Sequence, residues 1–484
     1  MLFNSFEYLL FFPLVFLLYW IIADNSIKIR NLFLLLCSYF FYGCWDWRFL
    51  SLIILSSCLD FFLGLKIANT EQESKRKLLL GLSLVFNLGM LSVFKYYNFF
   101  IESFESVSAF FGLTFNLITI NIILPIGISF YTFQTLSYTI DVYRRQITPS
   151  TDIIAFFTFV SFFPQLVAGP IERAKNLLPQ FYNRHSFDYA KAVDGTRQIL
   201  WGFFKKVVIA DNCALYVDAI FNNYANYSSL TLIVGTVLFA FQIYCDFSGY
   251  SDIAIGTAKL LGFNLKQNFA FPYFSRDIAE FWRRWHISLS TWFRDYLYIP
   301  LGGSMVTKPK VMRNIIIIFV VSGFWHGANW TFIVWGFLNA LYFLPQWLRN
   351  TNRRFLRTVA ENRILPSIAE VINITTTFTL TCIAWVFFRA KNVTEAVEYI
   401  IDIFSFRFSS TANITKAVGD TYLKFTLPVA IFILINFEWY NRAEQHGLSK
   451  KSKYSFVRWS IYVLLVLAII QYFGTEQSFI YFQF

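Results

Sequence analysis

A histidine ends a strongly apolar segment in the run VVSGFWHGANW, residues 320–330. Glycines at 323 and 327 flank this residue, His326, and Asn329 supplies an amide close by. A group that gains or loses a proton near neutral pH is costly inside hydrocarbon, so an imidazole there indicates a functional site. The alternative is a neutral histidine that is hydrogen-bonded between helices. His326 is thus the first candidate for acid–base chemistry.

A second histidine, His286, lies in the aromatic and basic run FWRRWHISLS, residues 281–290. The chain has only four histidines, so two in such surroundings favour a site over an isolated structural imidazole. We expect residues 276–298 to form one helix, which advances about 100° per residue. Three tryptophans then share one face and three arginines the other, with His286 between the two sets: Trp282, Trp285 and Trp292; Arg283, Arg284 and Arg294.

This predicted helix has two interpretations. It is either an interfacial anchor with snorkelling arginines, or a binding helix whose arginines hold the phosphates of an anionic donor. In the second interpretation the aromatic face lines a tunnel. The residue pattern leaves both open.

Two carboxylates, Asp246 and Asp252, lie in the aromatic and hydroxyl-rich stretch YCDFSGYSD. Buried acids need partners, so these could orient a histidine or pair with arginines of the 276–284 segment. The favoured interpretation is a salt-bridged turn that interrupts a helix. Cys245 is a poor nucleophile candidate, because an apolar setting keeps a thiol protonated and inert. The sequence shows no GxSxG, P-loop, GxGxxG or HExxH motif.

Composition places these residues in a membrane protein. Of the 484 residues, 56% are hydrophobic and only 14% are charged, whereas a soluble domain carries about a quarter charged residues. The apolar runs are continuous and too long for outer-membrane strands. The net charge of +12 comes largely from short loops and forms no basic module, which argues against nucleic-acid binding. Six scattered cysteines without a CxxC pair predict neither a metal site nor disulfides.

We predict a single membrane-embedded domain over residues 1–484, with N-terminal helices (1–120), a catalytic core (121–348) and C-terminal helices (349–484). It contains about 11–13 membrane helices, together with re-entrant or interfacial pieces. Proline and glycine interrupt two stretches, 124–145 and 162–170, where irregular backbone is expected. The apolar runs cover residues 8–22, 31–44, 49–65, 78–95, 190–221, 228–248, 250–262, 315–347, 366–388, 424–437 and 457–473.

The loop charges predict the orientation. Basic residues follow the first and third runs, which places those loops in the cytoplasm and the N-terminus outside. The first run lacks a basic segment before it and a cleavage site after it, so it is expected to be a retained span. The basic residues concerned are Lys28, Arg30, Lys66, Lys75, Arg76 and Lys77.

The same reasoning places His326 deep in the bilayer. Arg313 lies 13 residues earlier (326 − 313), which is about 20 Å along a helix and past the middle of a hydrocarbon core about 30 Å thick. Basic residues in 349–354 indicate that the chain then returns to the cytoplasm. Residues 326–329 are therefore predicted at the turn of a hairpin, where a base could be reached from both faces.

These motifs together resemble the membrane-bound O-acyltransferase (MBOAT) family, in its bacterial branch of alginate O-acetylation and teichoic-acid D-alanyl transfer proteins. The resemblance is carried by residues 244–303 with FWHG at 324–327, and by several shorter motifs. Those motifs are MLFNS at 1–5, FFP at 11–13, LPIGISF at 124–130, VAGPIER at 167–173 and FIYFQF at 479–484. It covers essentially the whole chain, and the length is more similar to the alginate-type proteins.

The resemblance implies a ring of helices around a tunnel through the bilayer. It identifies His326 as the active-site base and His286 as a second required residue. It implies that an acetyl group passes from a cytosolic thioester, acetyl-CoA, to an extracytoplasmic polysaccharide, often through a serine-hydrolase-like (SGNH) partner. No permanently bound cofactor or metal is expected, and the location is the bacterial inner membrane. Nothing identifies alginate itself as the acceptor.

Neutral imidazole can remove the proton from a hydroxyl that attacks a thioester, and Asn329 or a backbone N–H near a glycine could stabilise the oxyanion. His286 could orient the base or bind the thioester carbonyl. Within the enzyme class, D-alanyl transfer from a carrier protein is the runner-up. A lipid or sugar transporter and a scaffold that only docks a transferase are the rival classes.

Overall fold

The computed structural model describes residues 1–23, 26–115, 117–120, 123–167, 169–409, 423–474 and 479–480, and within these ranges the regular secondary structure is entirely helical. Ala168 of the VAGPIER motif and residues 481–484 of the C-terminal motif lie outside the described residues. The predicted all-α fold class is confirmed.

The α-helices are, in chain order, α1 (Phe6–Ala23), α2 (Ile27–Asp46), α3 (Leu50–Ala68), α4 (Glu73–Leu91), α5 (Tyr97–Phe110), α6 (Ile128–Tyr143), α7 (Ile153–Ser161), α8 (Phe163–Leu166), α9 (Ala174–Leu177), α10 (Tyr189–Phe203), α11 (Asp211–Asn222), α12 (Ser229–Leu260), α13 (Ile278–Arg284), α14 (Ile287–Phe293), α15 (Lys308–His326), α16 (Trp330–Leu348), α17 (Ile368–Arg389), α18 (Val393–Phe404), α19 (Leu423–Tyr440) and α20 (Ser455–Tyr472). Within the described ranges, three π-helical segments occur at Ser92–Tyr96, Phe204–Ala210 and Arg294–Tyr298.

Six helical segments of the described chain are long and apolar enough to cross a membrane, since about 20 apolar residues span a bilayer core. Two of them join consecutive helices, α2 with α3 and α4 with α5. The chain is therefore a multi-pass membrane protein, as predicted. The total of 11–13 spans stays a prediction, because shorter or more polar helices such as α7 and α19 fall below these criteria. The six segments are Phe6–Ala23, Ile27–Ala68, Glu73–Phe110, Ser229–Leu260, Ile368–Arg389 and Ser455–Tyr472.

The described chain divides into two compact units, residues 1–193 with 257–266 and residues 194–256 with 267–484. In the first unit, α2 packs on α7, and α3 packs on α4 and α6. A buried polar cluster joins three of these helices, because Asp60 accepts hydrogen bonds from Ser83 Oγ, from Asn87 Nδ2 (2.8 Å) and from Thr139 Oγ1 (3.0 Å). Buried polar groups require such partners. The domain boundaries predicted from sequence remain predictions.

Two of the loop cations have structural contacts inside the first unit. Arg30 is buried, and its guanidinium donates to the carbonyls of Asn183 (2.7 Å) and Phe181 (2.9 Å). Arg76, also buried, donates to the Tyr143 carbonyl. Their positive charges are therefore held within the protein, although they lie next to loops.

In the second unit, α15 and α16 form an antiparallel hairpin and α17 packs on α16. The prediction of a break between runs 228–248 and 250–262 is wrong, because α12 is continuous from Ser229 to Leu260. Gly249 provides close packing there: a Cβ at this position would lie 2.9 Å from the Gly202 carbonyl oxygen. The expected irregular backbone of the 124–145 stretch flanks α6: Gly127 has φ +76° before the helix and Arg145 has φ +59° after it.

Candidate functional site

His326 is the last residue of α15, and α16 begins four residues later at Trp330, so the predicted hairpin turn at 326–329 is confirmed. Glycines bring the two helices into backbone contact: a Cβ on Gly323 would lie 2.1 Å from the Phe332 carbonyl oxygen. A Cβ on Gly327 would clash with the Phe332 ring at 2.1 Å. These glycines therefore admit a neighbouring backbone and ring, which fixes the position of His326 at the hairpin end.

Aromatic rings surround His326, whose residue surface is only 2% exposed. Close ring centroids include those of Trp325 (4.9 Å), Trp335 (5.2 Å) and Phe388 (5.4 Å). Trp335 in turn stacks on Trp385 at 5.6 Å, so α15, α16 and α17 all contribute to the enclosure. Such a dry setting strengthens the electrostatic interactions of any group that reacts there.

The segment that holds His286 is broken, so the prediction of one helix over 276–298 is wrong. Helix α13 ends at Arg284, α14 begins at Ile287, and His286 adopts the left-handed conformation (φ +43°, ψ +55°). Non-glycine residues rarely adopt this conformation, which persists where surrounding contacts hold it. The facial separation of tryptophans and arginines expected from a continuous helix is therefore absent.

A loop before α13 holds the elbow that residues 285 and 286 form between α13 and α14. The backbone N–H of Ala270 donates to the Arg284 carbonyl and that of Ile287 to the Asn268 carbonyl, both at 2.9 Å. The side chain of Asn268 adds three contacts through Oδ1: with Ser288 N (3.2 Å), Ser288 Oγ (2.8 Å) and His286 Nδ1 (3.1 Å). Asn268 is fully buried, and sequence reasoning missed it because no periodic pattern links a loop to an elbow 18 residues later.

The two histidines lie together. The His286 and His326 ring centroids are 6.3 Å apart, and the Trp325 centroid is 6.0 Å from that of His286. His286 is 1% exposed and contacts the Phe247 ring edge-on at 4.6 Å. The structure thus brings together the two imidazoles that the sequence singled out.

Trp282 and Trp285 belong to the same aromatic enclosure. The Trp282 ring lies 5.7 Å from Trp335, and the Trp285 ring lies 5.1 Å from Trp385. Trp285 is fully buried, whereas Trp282 is half-buried. Both rings contact tryptophans of the aromatic enclosure around His326, and they close this enclosure on the side of α13.

The three arginines near His286 have protein partners. Arg283 donates to the carbonyls of Asn352 (2.7 Å) and Phe355 (2.8 Å). Arg284 donates to Glu280 Oε1 at 2.9 Å, while the exposed Arg294 pairs with Asp295 at 2.7 Å. The geometry therefore assigns Arg283 and Arg284 to bracing α13.

Asp246 and Asp252 pair with lysines, and the expected helix-breaking turn is wrong because both lie inside α12. Lys206 Nζ is 2.7 Å from Asp246 Oδ1, and Lys205 Nζ is 2.6 Å from Asp252 Oδ2. Asp246 Oδ2 also accepts the Ile480 N–H at 2.7 Å. These lysines lie 40 residues (246 − 206) and 47 residues (252 − 205) earlier in the chain than their partners, beyond the reach of local sequence patterns.

Asn329 caps α16. Its side-chain oxygen accepts the Thr331 N–H at 3.0 Å, and its Nδ2 donates to the Lys391 carbonyl at 2.9 Å. Both ends of the amide are thus engaged in positioning the helix start. The amide holds the hairpin turn and, with it, His326.

The fold and site define a class: a multi-pass helical membrane protein with two adjacent imidazoles enclosed by aromatic rings. A pair of bases in a dry enclosure can move a proton between reacting groups. The MBOAT (membrane-bound O-acyltransferase) family model matches residues 142–387, a range that contains both histidines.

Relatives support the same assignment over most of the chain. A probable alginate O-acetylase of Azotobacter vinelandii is 40% identical over 439 residues, which cover 90% of this chain and 84% of the relative. A peptidoglycan O-acetyltransferase of Helicobacter pylori is 34% identical over 98% of this chain and 95% of the relative. A teichoic acid D-alanyltransferase of Streptococcus thermophilus is 30% identical over 46% of this chain and 57% of the relative. The chain belongs to the membrane-bound O-acyltransferase family and is an O-acyltransferase.

Proposed function

We propose that this protein is an O-acetyltransferase that takes acetyl from a cytosolic thioester, acetyl-CoA, and delivers it across the membrane for O-acetylation of an extracytoplasmic polysaccharide. The observation that carries the proposal is the pair of buried imidazoles, 6.3 Å apart, at the end of the α15–α16 hairpin. Acetyl transfer is favoured over D-alanyl transfer because the O-acetylase relatives match twice as much of the chain as the D-alanyltransferase does.

In the proposed reaction His326 is the general base. It takes the proton from an acceptor hydroxyl as the hydroxyl oxygen attacks the thioester carbonyl carbon. The tetrahedral intermediate collapses, the C–S bond breaks, and the proton passes to the leaving thiolate, so that an oxygen ester and a free thiol are formed. The aromatic enclosure excludes water, which would otherwise hydrolyse the thioester.

His286 is the second site residue in this proposal, and Trp282 and Trp285 are wall residues. Asp246, Asp252, Arg283, Arg284 and Arg294 have structural partners, so we assign them no contact with substrate. Asn329 supports the site through the helix start that it caps.

We also propose that the acetyl group reaches the polysaccharide through an extracytoplasmic partner with a serine-hydrolase-like (SGNH) fold. The protein lies in the bacterial inner membrane with its N-terminus outside. Lys28 and the cluster at 66–77 support this orientation, since basic loops are retained in the cytoplasm. Labelling of single cysteines placed at residues 2 and 72 with an impermeant maleimide tests it: residue 2 should react in intact spheroplasts and residue 72 only after lysis.

The central experiment uses the full chain in liposomes with [14C]acetyl-CoA. Wild-type protein should release free thiol and transfer label to an added polysaccharide or partner, whereas His326→Ala should do neither while retaining its wild-type elution in size-exclusion chromatography. In cells, the ester content of surface glycans should fall in the same variant. Unchanged ester content would exclude His326 as the base, and turnover only with a D-alanyl carrier protein would establish the runner-up activity.

A further inference from the structure

We propose that Asn268 is a positioning residue that sets the tautomer of His286, so that Nε2 of that ring is a hydrogen-bond acceptor in the acyl-transfer site. The inference deepens the proposed function, on which its catalytic meaning rests. The tautomer itself, however, is a property of the protein that can be measured without any acyl transfer.

The hydrogen bonds of Asn268 fix the orientation of its side-chain amide. The backbone N–H of Ser288 can only donate, and it lies 3.2 Å from one terminal atom of Asn268. That atom must therefore be the oxygen, Oδ1, since an amide NH₂ there would face another donor. The other terminal atom, Nδ2, then donates to Ser251 Oγ at 3.3 Å, which agrees with the same orientation.

The contact with Asn268 fixes the position of the proton on the His286 imidazole. His286 Nδ1 lies 3.1 Å from the same Asn268 Oδ1. A carbonyl oxygen only accepts, so Nδ1 must carry the proton; a lone pair on Nδ1 would be held against the lone pairs of the oxygen. In neutral imidazole one nitrogen donates and the other accepts. Nε2 of His286 is therefore the acceptor.

The other ring nitrogen of His286, Nε2, lies in a buried setting. His286 is 1% exposed, and its Nε2 has no hydrogen-bond partner among the residues that the structure describes. An unsatisfied acceptor in such a dry site is costly unless a substrate group completes it. Neutral His286 cannot donate to a thioester carbonyl from this nitrogen. It is instead suited to accept a hydrogen bond from the acceptor hydroxyl or from the neighbouring His326.

The elbow shows why the tautomer is held so firmly. His286 adopts its left-handed conformation (φ +43°) while Asn268 binds the elbow through both backbone and side chain, at Ile287 N, Ser288 N and His286 Nδ1. One residue thus determines both the direction of the ring and the position of its proton. Residues that orient a catalytic imidazole in this way control its reactivity without touching the reacting atoms.

The direct test is ¹⁵N NMR of full-length protein labelled at its four histidines. His446 provides an internal reference of the opposite tautomer, because its Nδ1 accepts the Leu448 N–H (3.3 Å) and its Nε2 faces Asp194 Oδ1 (3.3 Å). We expect an Nδ1–H signal that disappears in His286→Gln. A His286 ring protonated at Nε2 in the wild-type protein would overturn the proposal.

Three variants connect the tautomer to function. Asn268→Leu removes the acceptor and should abolish the Nδ1–H preference and lower turnover in the liposome assay by about 10²-fold or more. Asn268→Asp keeps an acceptor for Nδ1 and should retain the tautomer. Asn441→Leu is the matched control: Asn441 also bridges loop residues, accepting Lys450 N (2.8 Å) and donating to the Gly447 carbonyl (2.6 Å). Neither contact involves His286, so this variant should keep the His286 Nδ1–H signal.

The outcomes separate the two proposals. A lost tautomer with unchanged turnover in Asn268→Leu would refute the catalytic role of Nε2. If wild-type protein shows the Nδ1–H tautomer but turns over no acetyl-CoA, the assignment to Asn268 stands and the proposed function fails. If Asn268→Leu aggregates, the Asn268→Asp spectrum still decides whether an acceptor at this position is sufficient to keep the proton on His286 Nδ1.

Discussion

The imidazole rings of His286 and His326 lie with their centroids 6.3 Å apart and their planes inclined by 58°. One ring belongs to an elbow between two short helices, and the other to the end of α15 in the α15–α16 hairpin. Nothing in local structure requires these elements to meet, so their contact is a product of the tertiary fold. Proton transfer through this pair would make the two rings one catalytic unit.

Mutations at the two histidines should therefore be non-additive. We expect His326→Ala and His286→Ala each to reduce acetyl-CoA turnover by about 10³-fold or more, and the double variant to lose little further, as found for residues that act together. His185→Gln, which changes a histidine of the other compact unit, is the control and should keep its activity. Multiplicative losses in the double variant would show that the rings serve separate steps.

The close contact of α15 and α16 should make Gly323 sensitive to a single added methyl group. In Gly323→Ala the new Cβ would lie 2.1 Å from a backbone oxygen of Phe332, so the hairpin must separate. We expect a loss of stability of about 1–3 kcal/mol and reduced turnover, measured by thermal unfolding in detergent and by the liposome assay.

Gly81→Ala provides the matched helical control. Gly81 lies within α4, and an added Cβ there meets nothing within 4 Å. Because alanine is the better helix former by about 1 kcal/mol, this variant should be neutral or slightly stabilising. Equal melting temperatures for Gly323→Ala and the wild-type protein would contradict the proposed role of the close helix contact.

Much of this arrangement could be predicted from the sequence. The hydropathy runs located the long helices, since a bilayer span leaves a signal of about 20 apolar residues. The hairpin at His326 was predicted because the apolar run ends in a glycine-flanked polar turn and basic residues follow the next run. The importance of His286 could be inferred because histidines are rare in this chain.

The remainder depends on tertiary contacts that leave no local pattern. The break at His286 was missed because its left-handed backbone is held by hydrogen bonds that Asn268 accepts, and no glycine or proline marks the position. The lysine partners of Asp246 and Asp252 were missed for the same reason, because they come from another helical segment. Helical periodicity describes one element and contains no information about which elements meet.

Removing one partner of the ion pair between Lys205 and Asp252 should destabilise the second unit more than removing both partners. The lysine side chain is 3% exposed, with Nζ 2.6 Å from Asp252 Oδ2 and 2.8 Å from Ser248 Oγ. Lys205→Met leaves a buried carboxylate without its cation, so we expect a loss of about 3–5 kcal/mol. The double variant Lys205→Met, Asp252→Leu should recover most of that loss in thermal unfolding.

Arg294→Ala is the exposed comparison. The Arg294 side chain is 59% exposed in its pair with Asp295, and pairs of this kind contribute about 0–1 kcal/mol. A melting temperature close to wild type is expected. Should the double variant at 205 and 252 melt no higher than Lys205→Met, the cost would lie in packing and not in the unpaired charge.

Glu172 should make stability depend on pH. It is fully buried in a loop of the first unit, where desolvation raises its pKa from 4.5 to about 7, opposed by the Lys266 N–H that it accepts and by the charges of Lys266 and Arg173. Because the folded state holds this proton more tightly than the unfolded state, the stabilising contribution is complete below about pH 4.5 and is lost as pH rises through 7.

The Glu172→Gln variant, which mimics the protonated acid, should match wild type at pH 5. At pH 8 it should be more stable, by at most about 3 kcal/mol. Thermal unfolding in detergent across this range measures the difference, and Glu361→Gln, at an exposed acid, should show no such divergence. A wild-type protein that stays as stable as Glu172→Gln at pH 8 would mean that the buried carboxyl ionises without cost, with Lys266 and Arg173 compensating its burial in full.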